Sequence, residues 1–427
     1  MISQPKPHDV IIVGGGPAGA ATALYLLQAG VKPLIVERDP FPRYHIGESL
    51  TGEVGGRLRD LGLEDRLKAS NYPIKHGVNV YGPNGQNKFW VPVMRRGADG
   101  QLHPTTTWQV RRSEFDQMLL DAAVERGATL LRCRADAPLL EGDEVVGLRV
   151  RHNDGTTEDL RSRVLVDASG QTTFLANSDA PTGEKLRGRY DKQVAVFSQV
   201  RGTVRDPGDG AGNTIIFYRS KAQWAWFIPL DDDVVSVGVV VPGQYFASQN
   251  LSKDEFLRRE LRTLNSELSR RVPNLDFCED VHSASNYSYH VKQFTGKGFL
   301  CVGDSHRFVD PIFSFGVNFA FHEGGIASQA IVSFLQDPAN TSDNPFLEYQ
   351  QRAERAQDSI QDLVDVFWDH PLPFVTLVHH PRHREAMIDL FAGRIFSDQI
   401  VDNEALQALR RCKAKGEQST SEAPART

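Results

Sequence analysis

Between a short apolar run, His8 to Val13, and a stretch of helical periodicity, Pro17 to Ala29, the chain carries Gly14-x-Gly16-x-x-Gly19. Few folds accept that order of elements. The first glycine permits a tight turn, the second lets a phosphate approach the backbone, and the third lets the helix pack closely on the strand. The helix start, with Pro17 and Ala18 as its first residues, then offers free N–H groups and a positive dipole end to an anion. A second apolar run, Val31 to Val36, closes on Glu37, about twenty residues after the second glycine, where a carboxylate accepts hydrogen bonds from ribose hydroxyls. The unit reads as strand, glycine turn, helix and strand, and predicts a dinucleotide site.

The expected fold class is α/β. A Rossmann-like dinucleotide-binding domain is expected over 1–75, 109–180 and 285–340. An inserted antiparallel-sheet substrate domain is expected over 76–108 and 181–284. A helical C-terminal region follows over 341–412, with a disordered tail over 413–427. Residues 190–245 alternate and cluster as strands, including Trp224 to Leu230 and Val234 to Pro242. Helices are expected over 115–126, over 253–271 and from about Phe315 to Leu335. The tail from Lys413 is rich in Ser, Glu and Lys, a composition that does not supply a core.

Further motifs follow in order: Gly47-Glu48-Ser49, Arg112-x-x-Phe115-Asp116, Asp167-x-x-Gly170 and Gly303-Asp304. Together with the glycine turn they resemble the flavoprotein monooxygenases that bind FAD as p-hydroxybenzoate hydroxylase does. The resemblance spans roughly residues 8 to 335. It implies FAD on Gly14, Gly16, Pro17, Ala18 and Gly19, with Ser49 and Asp167 in the site. It also implies Glu37 at the adenosine ribose, Arg112 at the ribityl-pyrophosphate region, and Gly303 with Asp304 at the ribityl chain.

Within that superfamily two signatures resemble the flavin-dependent halogenases of the phenol and pyrrole branch. One is Trp224-x-Trp226-x-Ile228-Pro229, and the other is Phe308-x-x-Pro311-x-x-Ser314-x-Gly316. Two tryptophans two apart in a strand point to one face. The resemblance implies that they keep the organic substrate away from the flavin. It implies a catalytic lysine after the Gly-Glu-Ser segment, for which Lys75 stands in place; Lys68 and Lys88 are the competitors. It implies a halide pocket at Ser314, Phe315 and Gly316, where backbone N–H groups form an anion nest. The implied reaction uses reduced FAD, O2 and chloride or bromide to make hypohalous acid, which a positioned ammonium directs onto an electron-rich ring. The resemblance also implies a separate NAD(P)H-dependent flavin reductase that supplies the reduced FAD, and no second glycine motif marks a nicotinamide domain in this chain. A glutamate that precedes the signature serine in the tryptophan-acting branch is replaced here by Phe313. A phenol or pyrrole, free or tethered to an acyl or peptidyl carrier protein, is therefore the expected substrate. The alternatives are an aromatic hydroxylase on the same scaffold, a prenyl reductase, and a non-catalytic flavin-binding protein.

Composition narrows the partners. With 48 Lys+Arg against 54 Asp+Glu the net charge is -6, which disfavours nucleic acid and anionic membranes. The four cysteines, Cys133, Cys278, Cys301 and Cys412, form no C-x-x-C pair. The histidines at 379, 380 and 383 lack metal-site spacing, so no metal is expected. No run nears the roughly 18 apolar residues of a membrane span, and the first residues lack a signal-peptide pattern. A cytoplasmic protein is expected.

Overall fold

The computed structural model describes residues 6–285, 288–337 and 340–421, with side chains through 416. The principal strands of its two large sheets are β1 (His8–Val13), β2 (Leu34–Glu37), β3 (Gly77–Tyr81), β4 (Lys88–Pro92), β5 (Thr129–Arg132), β6 (Arg134–Glu141), β7 (Glu144–Arg151), β8 (Thr157–Asp167), β9 (Gln193–Arg201), β10 (Thr214–Ser220), β11 (Gln223–Pro229), β12 (Val235–Pro242) and β13 (Phe299–Cys301). The helices that matter for the site are α1 (Pro17–Gln28), α2 (Arg112–Glu125), α3 (Gly316–Gln336), α4 (Leu347–Asp369), α5 (Pro371–His379), α6 (Pro381–Ala392) and α7 (Glu404–Ser421).

The first sheet has a parallel core in the order β5-β2-β1-β8-β13. Its central strands are near-continuous apolar runs, Val10 to Val13 and Val164 to Val166, buried on both faces as a parallel sheet demands. Register aligns Val13 with Asp167 and with Val36, so the carboxyl ends of β1, β2 and β8 share one edge. Ligands of open α/β sheets bind beyond that edge. β6 and β7 extend β8 as an antiparallel ribbon.

The second sheet runs β9-β12-β11-β10-β3-β4. It is antiparallel as expected over 190–245, but β10 pairs with β3 in parallel, which ties the early 76–108 segment into it. Trp226 lies opposite Gly238 on β12; a Cβ at 238 would sit 2.3 Å from the indole, so only a glycine leaves room for that ring.

Three elements differ from the sequence reading. Helix α2 begins at Arg112, three residues before the expected start. The stretch from Lys253 breaks at Asn265, whose side chain accepts the Glu267 N–H and caps a second short helix, Ser266–Arg271. The expected disordered tail is instead helix α7 through Ser421, where Lys413 pairs with Asp362 at 2.9 Å and Asp365 at 2.8 Å. Residues 422–427, and the first five of the start expected to fray, lie outside the described residues. Packing also crosses the expected boundary near 340. Phe346, Tyr349 and Ala353 join the apolar cluster of the first sheet, while Ile360, Leu363 and Phe367 of the same α4 join the cluster around Trp224 and Trp226.

Candidate active site

One cavity of about 740 Å³ runs from the carboxyl edge of the first sheet to the face of the second, lined at one end by Gly14, Gly16 and Glu37 and at the other by Trp224 and Trp226. At the first end, Gly14 has φ +104°, and a Cβ there would lie 2.5 Å from the Ala168 carbonyl oxygen. A Cβ on Gly19 would lie 1.9 Å from the Gly14 carbonyl oxygen, so helix and turn touch at that point. Gly16 is different: its Cβ would meet no atom closer than Arg43 Nη2 at 3.5 Å, and it faces the cavity. The packing of the protein itself does not require that glycine. Glu37 is buried and accepts the Gly15 N–H at 2.7 Å and the Asp39 N–H at 2.8 Å, which leaves each oxygen lone-pair capacity for a ribose hydroxyl.

Arg112 grips Asp116 through two bonds, 2.6 and 2.9 Å, and donates to the Ile46 carbonyl at 2.7 Å. It thereby fixes the 46–49 loop against α2 and still lines the cavity. Asp304 lines it too, and burial pushes its carboxyl up to about 7 against the pull of Arg112. Glu323 of α3 holds the Gly303-Asp304 turn: it accepts the Gly303 N–H at 2.6 Å, the His306 ring at 2.9 Å and the Gln357 amide at 2.6 Å. Gly303 and Gly19 stand behind the lining rather than in it. Asp167 also turns away: its two oxygens accept the N–H groups of Ser169 at 2.9 Å and Leu175 at 2.8 Å, so it shapes the Ala168–Gln171 wall and does not face the cavity.

At the far end the indoles of Trp224 and Trp226 are buried, 5.8 Å apart between centroids and tilted by 49°. Trp226 donates to Ser236 Oγ at 3.1 Å, and Phe197, His282 and Tyr44 continue the aromatic wall. Asp310 accepts the Ile312 N–H and starts the short turn Pro311–Phe313, which drives Ser314 to φ +61°. Ser314 and Gly316 face the cavity at the start of α3, whose first N–H groups have no intrahelical acceptor. The Phe315 side chain points into the apolar core beside Phe319, so its backbone alone is available to the site.

Lys75 is 3% exposed. The short strand Ile74–Lys75 pairs with Thr107–Trp108, and Ser49 bridges Gln109, so Lys75, Thr107, Gln109 and Ser49 share one face. Lys75 Nζ donates to Ser49 Oγ and to the Leu50 carbonyl, both at 2.8 Å. Burial, with no carboxylate against it among the described residues, lowers its pKa to about 7. Lys68 and Lys88 are exposed; the first pairs with Glu64 at 3.4 Å, and the second lies over the Tyr81 ring. Ser49 faces the cavity, yet its hydroxyl is committed to Lys75 and Thr214. A lysine whose folded pKa lies below its unfolded value of about 10.4 adds stability as pH climbs between the two. Lys75→Met should therefore exceed the wild type in unfolding free energy most near pH 7, and this advantage should shrink towards pH 10. Denaturant titrations across that range check it; a difference flat with pH would contradict the buried amine.

The sequence reading missed Arg43, whose Nε is buried beside Gly16 with no hydrogen-bond partner among the described residues, and Glu48, a buried cavity-lining carboxyl that burial pushes up. It also missed Thr214 and Gln109. Glu48 stood in a quoted motif; the others carry no local signal. Among the described residues no cluster of His, Cys, Asp or Glu could hold a metal, and His380 of the C-terminal group instead caps α6. A turn shaped for pyrophosphate, an open Gly16, an orphaned arginine and a carboxylate with spare lone pairs fit FAD at the first end of the cavity.

The model of the FAD binding domain family matches residues 7–362. A 1H-pyrrole-2-carbonyl-(peptidyl-carrier protein) brominase of Pseudoalteromonas luteoviolacea (strain 2ta16) is 36% identical, over 92% of this chain and 94% of that protein. The corresponding chlorinase of Pseudomonas fluorescens is 27% identical, over 92% of this chain and 91% of its own. The solved structure of the flavin-dependent brominase Bmp2 superposes with a TM-score of 0.90 at 34% identity, covering 97% of this chain and all of that one.

Proposed function

Because the chain belongs to the flavin-dependent halogenases of the FAD-binding-domain family, we propose that it halogenates a pyrrole ring carried as a thioester on a carrier protein. The observation that carries this reading is one continuous cavity: a pyrophosphate turn at one end, a tryptophan pair at the other, and behind its wall a buried lysine with no carboxylate against it among the described residues. Likeness to two relatives named for pyrrole-carrier substrates, each across nine-tenths of the chain, supports the substrate. Phe313, where a proton-accepting glutamate would stand, supports a ring that is electron-rich already.

FAD would be held by the Gly14–Gly19 turn with Pro17 and Ala18, by Glu37, Arg43, Arg112 and the Gly303-Asp304 turn, with Asp167 shaping the loop beside it. When bound and reduced by a separate flavin reductase, FAD supplies the oxidising equivalents from O2 that turn halide into hypohalous acid. The chain does the rest. Gly316 and the Phe315 backbone, beside Ser314, offer N–H donors and a positive helix end to the halide. Trp224 and Trp226 keep the pyrrole and water out of the flavin's space, so the halogen reaches the ring only by way of the cavity. Lys75 is the source of the proton taken up by the oxygen leaving the halogen, which makes the halogen more electrophilic; an amine that burial brings down to about 7 serves that exchange well. We place the enzyme in the cytoplasm; the four unpaired cysteines and the lack, among the described residues, of a helix able to cross a membrane support this.

The test compares pyrrole-2-carboxylate free in solution with the same acyl group on a carrier protein, each given reductase, FAD, O2 and bromide or chloride. Halogenated carrier and untouched free acid are expected. Halogenation of the free acid alone would overturn the carrier reading.

A further inference from the structure

Lys75 does not open on the cavity; Ser49 and Thr214 stand between them. Ser49 Oγ and Thr214 Oγ1 are 2.7 Å apart, and both residues line the cavity. Gln109 Nε2 donates to Thr214 Oγ1 at 2.8 Å and to the Gly212 carbonyl at 3.0 Å, which fixes Thr214 as an acceptor on its protein side. Two hydroxyls own two protons, and the contact between them uses one. With an ammonium at Lys75, Ser49 accepts from Nζ and donates to Thr214, so the spare O–H is Thr214's, on the cavity side. With a neutral amine, the amine's lone pair can take the Ser49 proton, Thr214 donates to Ser49, and Thr214 can accept a proton from the cavity. The direction of the chain follows the charge on Lys75. Its neighbours in sequence do not interfere: Glu48 accepts the Gly47 N–H, and His76 faces Asp209.

From this we propose that Ser49 and Thr214 are a hydroxyl relay that carries protons between Lys75 and the ring being substituted, with Gln109 as the residue that orients it. The inference rests on the halogenase reading. The step balances as ring C–H plus hypohalous acid gives ring C–X plus water. The ring's electron pair forms the C–X bond while the O–X pair departs on oxygen. That oxygen takes a proton from Lys75 through the relay and leaves as water. The ring proton then returns through Thr214 and Ser49 to Lys75, which ends as it began.

Thr214→Val removes the hydroxyl at constant shape, and Thr214→Ser keeps it. In FAD-loaded enzyme with reductase and bromide, Thr214→Val should cut brominated product roughly 10²-fold. Hypohalite captured by a small soluble trap should stay at the wild-type rate, and Thr214→Ser should keep most of the product. The pH limb of product formation near 7 should be displaced in the valine variant. A readout without turnover is the titration of Lys75 by NMR in oxidised holoenzyme: Ser49→Ala removes an acceptor of the ammonium and should shift the midpoint down. Product at the wild-type rate and pH profile in Thr214→Val overturns the relay. So does a product loss matched by an equal loss of trapped hypohalite, or an unmoved Lys75 midpoint in Ser49→Ala. Wild-type enzyme that brominates nothing fails the earlier reading instead, and the Lys75 titration still reports on the Ser49 contact.

Discussion

Lys75→Ala should abolish halogenation while leaving FAD bound. The loss expected for removing a positioned proton donor is roughly 10²–10⁴-fold in rate. Folding should survive. The change strands the Leu50 carbonyl, at a cost of about 1–3 kcal/mol, leaves Ser49 Oγ its contact with Thr214, and removes a buried amine that has no carboxylate against it among the described residues. The two effects oppose. Lys75 lies on a short ribbon away from the glycine turn, so flavin fluorescence should report wild-type binding. Product mass spectra and FAD titration on the same preparation check both halves. Normal product from this variant would take Lys75 out of the mechanism.

Gly16→Val should lose FAD without losing the fold. Gly16 has φ -71° and ψ -172°, an extended conformation that valine adopts readily. Its Cβ would meet only Arg43 at ordinary contact distance, so the apoprotein should change by about 1 kcal/mol or less, the scale of a helix N-cap exchange. The branched side chain would occupy the space where pyrophosphate approaches the N–H groups of α1, so affinity should fall by two orders of magnitude or more; each lost contact to a charged oxygen is worth about 1.5–3 kcal/mol. Denaturation of the apo form and flavin content after purification separate the two quantities. Gly14→Val would not, since φ +104° and the Ala168 carbonyl make that position structural as well. Unchanged flavin content in Gly16→Val would contradict the site.

How far the sequence carried is visible residue by residue. The glycine turn and Glu37 were legible because strand, turn, helix and strand are contiguous and every contact among them is local. Trp224 and Trp226 were legible because alternation puts them on one face of one strand. Lys75 was legible only through resemblance. In Tyr-Pro-Ile-Lys it reads as a surface charge, and its burial comes from Thr107, Gln109 and Ser49, which arrive from elsewhere in the chain. Thr214 lies 165 positions from Ser49, and no periodicity announces such a pair. Asp167 shows the converse: the motif was visible, but its carboxylate serves its own loop, an orientation fixed by two backbone N–H groups that a sequence does not display. The tail misled because charge and serine read as solvated chain, whereas Lys413 finds two carboxylates on α4.

The reaction class itself is tested most directly by intact-mass measurement of pyrrolyl-carrier protein after turnover with the wild-type enzyme, reductase, FAD and O2, with and without bromide. The expected result is a bromine isotope doublet on the carrier that requires bromide, with no oxygenated product in its absence. A pyrrole that gains oxygen whether or not bromide is present would contradict the account and assign the scaffold to a hydroxylase.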